Sequence, residues 1–189
     1  MRNDIRDYLQ RLSAVLETTD LSGVESLGQE LLDCWRTGRQ LFLCGNGGSA
    51  ANAIHLANDF LYGISKRPGS GLRVTALPAN SSVLTCLAND MGYDQVFALQ
   101  LAVLARPGDV LLAFSGSGNS PNILRALEKA REIGMRSYAV LGYSGGQAKA
   151  LADVPLHFAI DDMQISEDIQ LILGHLLMQW LYRHRDQVA

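Results

Sequence analysis

The sequence QLFLCGNGGSA at residues 40–50 joins an apolar run of strand length to a glycine-rich turn. A helical pattern of apolar residues begins directly after the turn and continues to Tyr62. Glycines in such a turn let backbone N–H groups approach an anion, and the following helix N-terminus adds positive potential. The stretch therefore predicts a strand, an anion-binding turn and a helix in direct succession.

The same arrangement occurs a second time along the chain. An apolar run at residues 110–114 leads into SGSGNS at residues 115–120, and a helical pattern follows as far as Ile133. Either turn taken alone is also explained by an ordinary strand-to-helix connection with a serine at the helix N-cap. Two such turns in one sheet favour an anion site, and serine hydroxyls are uncharged donors that suit a phosphate ester.

Short apolar runs and helical patterns alternate over the rest of the chain. Three further strands are predicted at residues 72–77, 137–141 and 156–160. Helices are predicted at residues 49–62, 82–88, 95–105, 120–133, 146–152 and 165–184, after two helices within residues 1–38. This alternation predicts an α/β fold, a doubly wound three-layer αβα sandwich on a five-stranded parallel sheet. The two turns should lie side by side at the carboxyl ends of their strands.

Length and composition indicate one domain over residues 1–189, with residues 1–38 as a helical N-terminal segment. The 189 residues are 48% hydrophobic and 19% charged, as in an ordinary folded domain. A net charge of −3 offers no basic surface for direct nucleic-acid binding. No apolar run reaches the roughly 20 residues of a membrane span, and the polar opening residues predict no targeting segment.

The three cysteines, Cys34, Cys44 and Cys86, are odd in number and widely spaced. This pattern predicts neither a disulfide framework nor a thiolate zinc site, so we expect a protein of the reducing cytoplasm. Cys44 and Cys86 are expected to be small buried side chains, and no cationic residue near them in the sequence would activate their thiols.

A nucleotide cofactor is not predicted. The first turn matches the dinucleotide-binding pattern G-x-G-x-x-A, but the second predicted strand ends in LPAN at residues 77–80, without the acidic residue that would hold a ribose. Neither turn contains the Gly-Lys-Ser/Thr sequence of an ATP-binding loop. Nucleoside triphosphate chemistry is therefore disfavoured as well.

Two pairs of polar side chains are candidates for chemistry. His55 and Asp59 are four residues apart on one predicted helix, which suits metal binding, proton transfer or an ordinary surface pair. Glu167 and His175 interrupt the apolar face of the final helix, where a histidine can also be a satisfied core or interface residue. Eight helical residues span about 12 Å, so both reach one centre only if Glu167 begins the helix or the pair brackets a substrate.

These motifs together resemble a known family. CGNGGS at residues 44–49, His55, Ala88-Asn89-Asp90 and SGSGNS at residues 115–120 are similar to the sugar isomerase (SIS) domain, and nearest to the phosphoheptose isomerases. The resemblance extends from about residue 40 to residue 181 and includes two N-terminal helices. It implies an enzyme that converts sedoheptulose 7-phosphate to D-glycero-D-manno-heptose 7-phosphate, as a homotetramer with sites between subunits.

The resemblance also implies roles for individual residues. Substrate-binding positions of the family correspond to Asn46, Gly47, Gly48, Ser49, Asp90, Ser115, Gly116, Ser117, Ser120 and Glu167. The catalytic pair corresponds to Asp59 and His175, which we expect to act from opposite sides of the substrate. A divalent metal ion, zinc in this family, would be held by His55, Asp59, Glu167 and His175.

Three of these positions depart from the family's pattern. Asp59 stands where the family has glutamate, Glu167 where it has glutamine, and Gly116 where threonine is usual. The shorter aspartate draws the carboxylate back from the substrate, and proton transfer requires close approach. These departures leave open an isomerase of another phosphosugar. A third hypothesis is a non-catalytic SIS module that binds a replication-initiation protein, although retention of the two histidines and Asp59 favours chemistry.

Overall fold

The computed structural model describes residues 1–188, which form one parallel sheet covered by helices on both sides. The sheet has the strand order β2-β1-β3-β4-β5. Its strands are β1 (Gln40–Cys44), β2 (Arg73–Ala76), β3 (Val110–Ser115), β4 (Arg136–Leu141) and β5 (Val154–His157). Every neighbouring pair of strands is parallel. The predicted α/β class and five-stranded parallel sheet are confirmed.

Two helices precede the sheet, and a helical segment follows every strand. The α-helices are α1 (Arg2–Thr18), α2 (Ser22–Thr37), α3 (Gly48–Asn58), α4 (Ser81–Met91), α5 (Ala98–Leu104), α6 (Pro121–Ile133), α7 (Ala148–Leu151) and α8 (Met163–His184). Within residues 1–188, no helix combines the length and apolar character needed to cross a membrane.

The central strands are buried on both faces, and this explains their continuous apolar sequences. Leu41 and Leu43 of β1 face a core shared with α2, α3 and α8. Phe42 and Cys44 point to the opposite face, into a second core shared with α5 and α6. Because side chains alternate along a strand, one short run supplies both cores.

The order of the sheet brings the two glycine and serine turns together. Strands β1 and β3 are direct neighbours, with Cys44 opposite Ala113 in the register. The chain turns to β2 on one side of β1 and to β3 on the other, so the crevice of this switch point opens at their carboxyl ends. The predicted side-by-side arrangement of the turns is confirmed.

Some predicted boundaries are wrong. Strand β5 begins at Val154, two residues earlier than expected, and contains Pro155. Proline lacks a backbone donor, but an edge strand tolerates it because one side of the strand needs no partner. The helix expected at residues 95–105 is shorter than predicted, because α5 begins only at Ala98 and a separate 3₁₀ turn at Tyr93–Gln95 precedes it.

The cysteines differ in environment from the prediction at one position. Cys34 and Cys44 are buried, and burial raises the pKa of the Cys44 thiol to about 12. Cys86 is exposed on α4, so its expected burial is wrong. A hydrogen bond to Asp90 raises the pKa of the Cys86 thiol, so this exposed cysteine is not activated either.

Candidate functional site

A cavity of about 260 Å³ lies between the two turns. Its lining residues are Asn46, Gly47, Ser49, Phe114, Ser115, Gly116, Ser117, Ser120, Met163 and Glu167. Eight of the ten substrate-binding positions predicted from the sequence are therefore in its wall, and Gly48 and Asp90 are not. The walls come from the ends of β1 and β3 and from the first turns of α3, α6 and α8.

Two serines have different roles in the second turn. The Ser115 hydroxyl oxygen is buried and accepts a hydrogen bond from the Gly118 N–H at 3.0 Å. Gly118 has a φ of +66°, a conformation that a side chain would strain. Ser120 is the N-cap residue of α6 but makes no side-chain capping bond. Ser115 therefore shapes the turn, while the Ser120 hydroxyl remains available to a ligand.

Polar side chains bind the first turn to the start of α8. The Ser49 hydroxyl accepts a hydrogen bond from Gln170 at 3.0 Å, and Asn52 donates to the Glu167 backbone carbonyl at 3.0 Å. Asn52 also donates to the Gln170 side-chain oxygen at 2.9 Å. Sequence reasoning missed Asn52 and Gln170. The available signal was the amide of Gln170 between the apolar residues Ile169 and Leu171.

Glu167 occupies the space beside Gly48. A Cβ at Gly48 would overlap the Glu167 carboxylate, so the absence of a side chain there makes room for the acid. The carboxylate belongs to the cavity wall, near the two glycine and serine turns. An acid in this position repels an unscreened anion, so it suits a sugar hydroxyl or a cation bound together with the anion.

His55, Asp59 and His175 meet where α3 and α8 pack together. The two Nε2 atoms are 3.0 Å apart, and Asp59 Oδ2 lies 3.6 Å from each of them. Asp59 begins a π-helical turn that continues α3 to Gly63. Such turns are frequent at functional sites. We call these three residues the His–Asp–His group.

The geometry of the His–Asp–His group fits a divalent metal ion. Its three ligand atoms lie within 4.8 Å of one another. Two imidazole nitrogens on a tetrahedral zinc ion are about 3.3 Å apart, close to the 3.0 Å found here. Two histidines and one carboxylate leave positions open for substrate or water, as catalytic metal sites require.

One expectation about this part of the site is wrong, and two others stay predictions. Asp59 and His175 lie together, so the expectation that they act from opposite sides of a substrate is wrong. Glu167 is not a member of the His–Asp–His group, and its role as a fourth metal ligand stays a prediction. Asp90 is exposed on α4, where it bonds Cys86 and Asn89, and its contact with a sugar also stays a prediction.

Close packing of α8 on α3 forms the His–Asp–His group. Gly174 precedes His175, and a Cβ at Gly174 would overlap the side chain of Leu56. Leu56 follows His55 and is fully buried, so it has no space into which to move. The missing side chain at Gly174 therefore sets the distance between the two histidines.

Comparison with known proteins identifies relatives of the whole fold. A family model described as SIS domain matches residues 5–142. A phosphoheptose isomerase of Desulfovibrio desulfuricans is 44% identical over 147 residues, which cover 77% of this chain and 69% of the relative. A phosphoheptose isomerase of Chlorobium phaeobacteroides is 40% identical over 185 residues, with 93% and 79% covered.

Solved structures give the same result in three dimensions. The phosphoheptose isomerase of Neisseria gonorrhoeae superposes with a TM-score of 0.86 at 29% identity, over 95% of both chains. That of Francisella tularensis has a TM-score of 0.88 at 26% identity, over 96% of this chain and 97% of the other. The similarity therefore includes the N-terminal helices and the final helix.

We predict that Gly174→Ala lowers the free energy of unfolding by about 2 kcal/mol, because the added methyl group overpacks against Leu56. Leu56→Ala alone should cost about 3 kcal/mol through the cavity that it leaves. In the double variant the new methyl group enters that cavity, so the cost should be clearly less than the sum. Urea unfolding of the four proteins measures the coupling. Additive costs would contradict direct packing between these residues.

Proposed function

The chain belongs to the phosphoheptose isomerase family of SIS-domain proteins, and on this premise we propose that it converts sedoheptulose 7-phosphate to D-glycero-D-manno-heptose 7-phosphate. One observation carries the proposal. Helices α3 and α8 each contribute both to the cavity between the two turns and to the His–Asp–His group. A single site can therefore hold the phosphate at one end of a sugar and carry out chemistry at the other.

The spacing along α3 suits this substrate. The helix begins at Gly48, beside the cavity, and His55 is seven residues further on, about 10 Å along the helix axis. An extended seven-carbon sugar with its phosphate spans a comparable distance. The phosphate would lie at the turns, with C1 and C2 near the His–Asp–His group.

The phosphate end is bound by neutral donors. Backbone N–H groups of both turns, the hydroxyls of Ser117 and Ser120 and the N-termini of α3 and α6 surround the cavity. These groups favour a dianion without a fixed positive charge. They contact a part of the substrate that does not change during the reaction, so they contribute to binding and orientation.

The proton transfers belong to the other end of the site. An aldose–ketose isomerisation moves a proton between C1 and C2 through an enediol. The Asp59 carboxylate would take the proton from C1 of the ketose and return it to C2. His175 would give a proton to the C2 oxygen and take one from the C1 oxygen through Nδ1, because its Nε2 faces Asp59 and the proposed metal position. Each proton that leaves the substrate is matched by one that returns, and no redox cofactor is required.

A divalent metal ion, zinc by resemblance to the family, fits the same group. His55, Asp59 and His175 would hold it, with Glu167 as the predicted fourth ligand. When bound, such an ion polarises the carbonyl and stabilises negative charge on the enediol oxygens.

The exposure of the His–Asp–His group supports an assembly with sites between subunits. The side chains of His55 and His175 are 51% and 45% exposed in the single chain. Ile54 and Leu176, their neighbours in sequence, are also exposed. A second copy would cover this apolar rim and exclude water, as the proposed homotetramer requires. The three unpaired cysteines suit the reducing cytoplasm.

Three residues bear on which phosphosugar the protein uses. Asp59, Glu167 and Gly116 depart from the family's pattern, and Glu167 and Gly116 line the cavity. Another phosphosugar is therefore the alternative for the same chemistry. The hypothesis of a non-catalytic module that binds a replication-initiation protein is less well supported, because binding a partner does not require the His–Asp–His group.

We predict that Ser117→Ala and Ser120→Ala each raise KM about fivefold to twentyfold, as expected for the loss of one hydrogen bond to a charged ligand. The kcat should change less than twofold, because a phosphate contact is equally strong in the ground state and the transition state. Steady-state kinetics with sedoheptulose 7-phosphate make the measurement. A large fall in kcat at unchanged KM would contradict a phosphate-binding role.

We predict that Asp59→Asn and His175→Ala abolish isomerisation, and that Asp59→Asn also abolishes exchange of the C1 proton of the substrate with solvent. Proton NMR in D₂O measures the exchange, and circular dichroism tests whether the fold is intact. Matched controls are Asp94→Asn, outside the cavity, and His184→Ala, whose ring stacks on Trp180 near the end of α8. Full exchange in folded Asp59→Asn would assign the base to another residue.

A further inference from the structure

We propose that Asn122 and Tyr93 are positioning residues that fix Asn46 and the spacing of the two turns, and thereby set the affinity of the site for phosphate. Neither residue lines the cavity. The predicted effect on catalysis rests on the proposed function. The proposed residues would control an anion site without contacting the anion. This control does not depend on which phosphosugar is used.

Asn46 and Asn122 form a reciprocal amide pair. Asn46 Nδ2 donates to Asn122 Oδ1 at 2.8 Å, and Asn122 Nδ2 donates to Asn46 Oδ1 at 2.8 Å. Asn46 belongs to the first turn, and Asn122 is the second residue of α6, directly after the second turn. The pair is therefore a side-chain connection between the two segments that would hold the phosphate.

Burial makes this pair a strong constraint. Asn122 is only 2% exposed, so water has little access to replace either hydrogen bond. A buried amide that loses its partner costs about 1 to 3 kcal/mol. If the two turns moved apart, both bonds would break together. The pair therefore opposes any change in the distance between the turns.

Tyr93 contributes a third bond to the same amide. Its hydroxyl donates to Asn46 Oδ1 at 3.0 Å from the short 3₁₀ turn between α4 and α5. The Tyr93 side chain is otherwise exposed, with the residue at 56% of its maximal accessibility. An exposed aromatic ring gains little from burial here, so the hydrogen bond is its main contribution to this region.

The bonds determine what Asn46 can offer a ligand. An asparagine side chain has two N–H donors and two acceptor lone pairs. Both lone pairs and one N–H are used by Asn122 and Tyr93. Among residues 1–188, the other N–H has no protein acceptor, and Asn46 lines the cavity. Asn46 therefore acts toward the ligand as a donor only, which matches a phosphate oxygen and selects against a ligand donor.

The test uses three variants. Asn122→Leu removes both bonds of the pair, Asn122→Asp keeps the size but loses the donor to Asn46 Oδ1, and Tyr93→Phe removes only the hydroxyl. Isothermal titration with inorganic phosphate gives Kd, and kinetics with sedoheptulose 7-phosphate give KM and kcat. Both Asn122 variants should raise Kd and KM about tenfold, and Tyr93→Phe about threefold, with kcat within twofold of the parent.

Ser137→Ala is the matched control. Ser137 is also 2% exposed, and its hydroxyl donates to Asp153 at 2.9 Å near the start of β4, at the other end of the sheet from the turns. This variant should lose a comparable amount of stability in thermal unfolding while Kd and KM stay unchanged. A purely structural role for Asn122 predicts the same behaviour as Ser137→Ala.

The outcomes separate this proposal from the proposed function. Folded Asn122 variants with the parental Kd for phosphate would overturn it. If they fail to fold, Tyr93→Phe still decides, because that side chain is exposed, and an unchanged Kd there overturns the proposal. A parent protein that binds phosphate but does not isomerise the sugar would refute the function alone. A parent that binds no phosphate would refute the positioning role.

Discussion

The packing of α8 against α3 is the interaction on which the rest of the site depends. Where Gly174 meets Leu56, the two helices come close enough for the imidazoles of His55 and His175 to touch. Near the start of α8, the side chain of Asn52 binds the backbone of Glu167. One helix pair thus determines both the His–Asp–His group and one wall of the cavity. A shift of either helix would change both together.

The sheet supplies the second fixed element. Parallel pairing of β1 and β3 sets the two turns side by side, and the amide pair of Asn46 and Asn122 connects them beyond the last strand residues. The proposed anion site would therefore be built from strand ends and helix starts, and the proposed chemistry would lie further along α3. This arrangement suits a substrate that is bound through its phosphate and reacts at carbons near its other end.

Local patterns made the sheet and turns predictable, whereas contacts between distant residues were not. The apolar runs, glycines and serines near β1 and β3 are short-range signals. The His55 and His175 contact joins residues 120 positions apart, and the Asn46 and Asn122 pair joins residues 76 positions apart. The resemblance to the family predicted a role for His175, but the sequence did not show that His175 and Asp59 lie side by side. Cys86 was expected to be buried because apolar residues surround it in the sequence, but α4 buries none of its residues.

We propose that the two turns and the His–Asp–His group form one metal-dependent isomerase site. The most direct measurement is turnover of sedoheptulose 7-phosphate by the protein after chelation and after zinc is returned. We expect the zinc-loaded protein to form the aldose heptose 7-phosphate, and we expect chelation to lower the rate roughly tenfold or more. Full turnover by demonstrably metal-free protein, or none by the zinc-loaded protein, would contradict it.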